Sequence, residues 1–117
     1  MEDRGELPAF LLPHVREVVR ELAAGNYEGL EADGRAGRLT AGQLREAVEH
    51  YGRTFVELPE EGLQYVWVYE QKGRENLWRV DVDLWTAEEG RSDLTLSMLL
   101  EKTGDGVRVS VENLHVL

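Results

Sequence analysis

Residues 78–102 read W-R-V-D-V-D-L-W-T-A-E-E-G-R-S-D-L-T-L-S-M-L-L-E-K, and their reading decides the fold. Trp78, Val80, Val82 and Leu84 alternate with Arg79, Asp81, Asp83 and Trp85. That period of two belongs to a strand with one apolar face. After A-E-E-G-R-S, the residues Leu94, Leu96, Met98 and Leu100 repeat the apolar face, with Thr95 and Ser97 opposite. The stretch predicts two long antiparallel strands joined by a charged turn. The residues before it read as a helical layer covering the sheet, and those after it extend the sheet.

Upstream, Pro13 suits the first position of a helix, where a missing N–H costs nothing. Val15, Val18, Val19, Leu22 and Ala23 form one helical stripe, with Arg16, Glu17, Arg20 and Glu21 facing out. Gly25 ends the helix, and Asn26 is placed to cap a short second one over Tyr27 to Ala32. The run G-R-A-G-R then breaks the chain. Thr40 and Gln43 have capping-box spacing, and Leu39 with Leu44 has that of a hydrophobic staple. Leu44, Ala47, Val48 and Tyr51 form the buried stripe of this third helix, which Gly52 closes. Arg45–Glu49 and Glu49–Arg53 are spaced as ion pairs on its wet side.

Thr54–Leu58 predicts a short strand, and Leu63–Tyr69 a longer one. In the latter, Tyr65, Trp67 and Tyr69 share one face and Val66 and Val68 the other. Apolar character on both faces implies burial on both sides or a subunit contact. Downstream of the hairpin, T-G-D-G at 103–106 makes a tight turn. Val107, Val109 and Val111 continue the alternation, but Leu114 and Val116 fall out of phase. A bulge near Glu112–Asn113 restores it. Helices first and strands afterwards give an α+β domain, with the helices on one face of a curved antiparallel sheet of four to five strands. One domain is expected over 1–117: a leader at 1–12, a helical layer at 13–53 and the sheet at 54–117.

A chain of 117 residues suits a single core. No apolar run approaches the ~20 residues of a membrane helix, and the acidic start M-E-D-R-G-E is unlike a signal peptide. With no cysteine, disulfide and thiol chemistry are excluded, which fits a cytoplasmic, bacterial type of protein. Thirteen basic residues against 23 acidic ones give a net charge of −10. Binding to nucleic acid or an anionic membrane is thereby disfavoured, whereas a protein partner with a basic surface is allowed.

The order of helices, the segment A-A-G-N-Y-E-G-L at 23–30 and the closing V-R-V-S-V-E-N-L-H-V-L resemble the NTF2-like (SnoaL-like, cystatin-type) α+β cone. The segment D-L-W-T-A-E-E-G-R-S-D-L-T-L-S is similar to the motif of a small uncharacterised bacterial domain family. The first resemblance implies a cone whose cavity, in SnoaL-like enzymes, is lined by Asp and His side chains. It also implies pairing of sheets into homodimers, and it allows an immunity-type role against a basic toxin.

Two groups of residues are candidates for function. Asp81 and Asp83 leave one strand face ~7 Å apart along the chain, a spacing suited to a hard cation or acid–base work. With His115, which the resemblance would turn into the cone, they are the catalytic candidates if the protein is an enzyme. Alternation alone puts both acids on a solvated face. The second group is Trp67, Asp83, Trp85, Glu88, Glu89 and Arg91, a binding surface of acids around outward tryptophans. Its plainer reading is a charged turn in which Arg91 pairs with Asp93. His14, His50 and His115 have no ligand spacing, so no metal and no cofactor is expected. No nucleophile motif or phosphate loop is present. The expectation is a non-catalytic binding protein, with a SnoaL-like enzyme or ligand binder as the alternative.

Overall fold

The computed structural model describes residues 4–5, 7–71 and 73–116. Three helices, α1 (Leu12–Ala24), α2 (Tyr27–Ala32) and α3 (Ala41–Tyr51), come first. The sheet consists of β3 (Val66–Glu70), β4 (Leu77–Thr86), β5 (Gly90–Thr103) and β6 (Gly106–Val116), with the two-residue strands β1 (Arg4–Gly5) and β2 (Phe55–Val56). Its order is β1-β3-β4-β5-β6, antiparallel throughout, and β2 pairs with the end of β4. The result is an α+β domain in which helices accompany a curled antiparallel sheet.

The local causes are those the sequence offers. Pro13 lies in the first turn of α1, whose buried stripe is Val15, Val18, Val19 and Leu22. Helix α3 opens on a complete capping box: Gln43 N–H donates to Thr40 Oγ1 and Thr40 N–H donates to Gln43 Oε1. Gly25 and Gly52 end α1 and α3 at φ 77° and 76°, a left-handed conformation that strains a side chain with a Cβ.

In the sheet, Val80 faces Met98 and Met98 faces Val111, while Val82 faces Leu96 and Leu96 faces Leu114. These side chains form one core with the stripes of α1 and α3, and Val80, Val82, Leu96 and Met98 are fully buried. The bulge occurs where the phase requires it. Ser97 pairs with Asn113 and Met98 with Val111, so Glu112 is the extra residue and Leu114 returns to the core.

Several expectations need correction. Residues 60–65 form a 3-10 segment, so the strand expected from Leu63 begins at Val66. Gly62 explains this: a Cβ there would lie 2.7 Å from Leu58 Cδ1 and 2.8 Å from Trp85 Nε1, so the segment is pressed against that indole. Asn26 does not cap α2 with its side chain, which instead donates to Glu21. Arg45 pairs with Glu28 and stacks on Tyr27, joining α3 to α2. The expected leader is partly structural, since Leu11 is fully buried against α1's core; residues 1–3 and 6 lie outside the described residues. The β4–β5 turn is shorter than expected, because Thr86 already pairs with Gly90.

Candidate functional site: the open face of the sheet

The helices pack on the side of Val80 and Val82, so alternation sends Arg79, Asp81, Asp83 and Trp85 to the side they leave open. Register extends each of these positions across the sheet. Trp67, Asp81, Ser97 and Asn113 form one row. Asp83, Thr95 and His115 form the next. Beyond them the β4–β5 register shifts, and Trp85 pairs with Arg91. Ser92 holds the irregularity: its Oγ donates to the Leu84 carbonyl at 2.7 Å and accepts from Leu94 N–H. Asp93 N–H donates to the Tyr51 hydroxyl, tying the same stretch to α3.

Asp83 is the centre of this face. Only 5% of it is exposed, which corrects the solvated position that alternation implied. A carboxylate removed from water is costly unless it is hydrogen-bonded and paired. Thr95 Oγ1 donates to Asp83 Oδ1 at 3.0 Å, and Arg91 Nε approaches Oδ2 at 3.4 Å. The guanidinium of Arg91 also lies 4.1 Å from the centroid of the Tyr65 ring, close enough for a cation–π contact. Tyr65 in turn meets Trp67 and Trp85, each with ring centroids 6.4 Å apart. Asp81 has its own partner in Arg79, at 3.0 Å. The face is thus a polar centre of Asp83, Thr95 and Ser97, all buried, walled on one side by aromatic rings.

Two buried side-chain polar atoms among the described residues have no hydrogen-bond partner, Trp85 Nε1 and His115 Nδ1. His115 lies in the row of Asp83, one strand beyond Thr95, while Trp85 lies two positions along β4 with its Nε1 turned toward Gly62.

The structure brings Asp81, Asp83 and His115 to one face, and adds Trp67, Trp85 and Arg91 from the second group. That face is the one away from the helices, so these residues do not line a cavity between the helices and the sheet. That interior is filled by apolar side chains such as Leu11, Val18, Leu44 and Leu96. Arg91 pairs with Asp83, not with Asp93. Trp85 is half-buried, its indole against Gly62.

Glu88 and Glu89 are turn residues. Glu88 receives hydrogen bonds from the backbone N–H and hydroxyl of Thr54, which hold its carboxyl below the usual range. Glu89 N–H donates to Thr86 Oγ1, and that hydroxyl donates back to Glu89. Sequence reasoning missed Thr95 and Ser92 as parts of the site, and placed Tyr65 only as a strand aromatic sharing a face with Trp67 and Tyr69. Tyr65 needed the 3-10 segment to be placed, and Thr95 needed the register.

Among the described residues no group of three or more His, Cys, Asp or Glu side chains could hold a metal ion. No described helix is long and apolar enough to cross a membrane. A separate groove of about 460 Å³ runs between α1 and the start of β6, lined by His14, Glu17, Asp33, Arg35 and Arg108. Its Arg35 is already neutralised by Asp33 and Glu17, which lowers the Asp33 carboxyl's affinity for protons.

The fold and face together define a small α+β domain whose helices cover one side of the sheet and leave on the other a buried carboxylate with aromatic rings to one side. A family described as a domain of unknown function, DUF7668, matches residues 19–117, and the chain belongs to that family. No curated protein and no solved structure matches it.

Proposed function

We propose that the protein is a non-catalytic binding module that docks another protein, one with a basic surface, on the open face of its sheet. One observation carries this reading. The half-buried aromatics and the buried carboxylate Asp83 share the side that the chain's own helices leave open, while the space under the helices is packed. A cavity enzyme of the SnoaL-like kind would place its Asp and His under the helices instead. Thr95, the hydroxyl nearest Asp83, serves as the donor that stabilises a buried carboxylate. The NTF2-like resemblance and the charge of −10 are compatible with an immunity-type role against a basic toxin.

The test is capture of a partner from cells that make the protein, followed by identification. A basic protein retained by the wild type and by Arg20→Ala on α1, but lost with Trp67→Ala and Asp81→Ala, supports the reading. Equal capture by all four chains rejects it.

A second copy is the other occupant favoured by a specific observation, the row of Tyr65, Trp67, Tyr69 and Trp85 on a side without a helical layer. Sedimentation at micromolar concentration would then give a dimer that Trp67→Ala weakens. A strict monomer excludes it.

A further inference from the structure

We infer that the notch over Asp83 is a seat for a guanidinium group, and that a partner's arginine takes the place Arg91 holds in the free protein. The inference rests on the basic-partner reading above and names the group that would be recognised.

The structure already contains a guanidinium in the proposed place. Arg91 lies over the Tyr65 ring at 4.1 Å and reaches Asp83 at 3.4 Å. A flat cation between a ring face and a carboxylate is how arginine is recognised, because guanidinium stacks and donates in its own plane. The two ends of this contact are unequal. The Asp83 side chain is 8% exposed, whereas that of Arg91 is 47% exposed. Arg91 therefore reaches in from solvent to a charge fixed in the sheet. At 3.4 Å the contact is an ion pair, longer than a charge-assisted hydrogen bond of about 2.7–2.9 Å. Asp83 has Thr95 as its one close donor among the contacts described, so a buried carboxylate is left with acceptor capacity.

A second observation points to the same spot. Buried polar groups without partners are rare. One such side-chain atom among the described residues, His115 Nδ1, belongs to the row of Asp83, one strand beyond Thr95. An arginine entering the notch can donate to Asp83 and still present further N–H groups. The site is also mechanically able to exchange its occupant. Arg91 follows Gly90, at φ 79°, and precedes the register shift that Ser92 secures through the Leu84 carbonyl. The anchor of this stretch is Ser92, so Arg91 can leave without undoing the strand. The chain's net charge of −10 favours the approach of a basic segment.

The test uses the full chain and two labelled peptides, acetyl-(Arg-Gly)3-amide and its lysine counterpart, followed by anisotropy and by tryptophan fluorescence at low salt. Arg91→Ala should bind the arginine peptide about tenfold more tightly than the wild type, the equivalent of one charge-assisted hydrogen bond. Arg91→Gln, which keeps the stem, should behave alike and stands in if Arg91→Ala does not fold. Adding Asp83→Asn to either variant should abolish the gain, and the lysine peptide should gain less because it cannot stack in a plane. Arg108→Ala removes a positive charge elsewhere and should show no such gain. Equal tightening by Arg108→Ala, or no change with Arg91→Ala and Arg91→Gln, overturns the proposal. If a basic partner is captured through Trp67 and Asp81 but ignores Asp83 and Arg91, the guanidinium seat fails while the docking face stands.

Discussion

Thr95 and Asp83 face each other across the β4–β5 ladder, and the threonine hydroxyl donates a 3.0 Å hydrogen bond to the carboxylate where both residues are buried. The bond explains how a charged side chain is tolerated in the middle of a sheet. Removing the donor leaves the carboxylate desolvated and short of a partner. Thr95→Val should therefore destabilise the protein by about 1–3 kcal/mol, and Thr95→Ser by much less. Urea denaturation checks this, and a Thr95→Val variant as stable as the wild type would mean that water reaches Asp83.

The opposite face of the same strands is the core. Val82 and Leu96 face each other with no exposed surface. Val82→Asp or Leu96→Asp places an unpaired charge there, at a cost of several kcal/mol in a protein whose whole stability is about 5–15 kcal/mol. Both variants should lack a cooperative thermal transition. A cooperatively melting Val82→Asp protein would contradict the assignment of faces.

Gly62 is required by proximity. Its missing Cβ would meet Leu58 and the Trp85 indole at 2.7 and 2.8 Å. Gly62→Ala should cost about 1–3 kcal/mol by overpacking, and it should alter the Trp85 contribution to fluorescence. An unchanged melting curve and emission spectrum would show that the 3-10 segment is free to lift.

Glu88 makes stability depend on pH. Its carboxyl is lowered chiefly by the Thr54 backbone N–H and then by the Thr54 hydroxyl. A lowered pKa in the fold means the contribution is present above the ordinary glutamate value of about 4.3. It is lost as pH falls through the folded value. The melting-temperature difference between wild type and Glu88→Gln should be flat from about pH 7 to 5 and shrink in more acidic buffer. A difference that stays constant into acid would assign the effect of the substitution to packing.

The fold was legible because its signals are local. Alternation over 78–85, the capping box at Thr40 and the out-of-phase Leu114 each constrain the backbone nearby, and each matches the structure. The site was less legible because it depends on register. Asp83 alternates like a solvated acid, and nothing near it in sequence says that Thr95 will bond to it or that Arg91 will stack on Tyr65. Glu88 and Glu89 looked like a binding rim because a turn and an interface share the same composition. Long-range pairing, Glu88 with Thr54 and Arg45 with Glu28, has no periodic trace in the chain.

The bulge at Glu112 has a consequence for how the protein comes off the ribosome. Helices α1 to α3 are made before the sheet, with Val15, Val18, Leu44 and Val48 uncovered, and β6, which follows β5 in the chain, supplies Val109, Val111 and Leu114 to the same core. Val109 and Val111 are in phase from the turn, but Leu114 reaches the core only after Glu112 has been looped out. Until then the nascent chain exposes an oily helical surface. Chaperone attention and vulnerability to proteases should therefore peak in the interval before β6 closes.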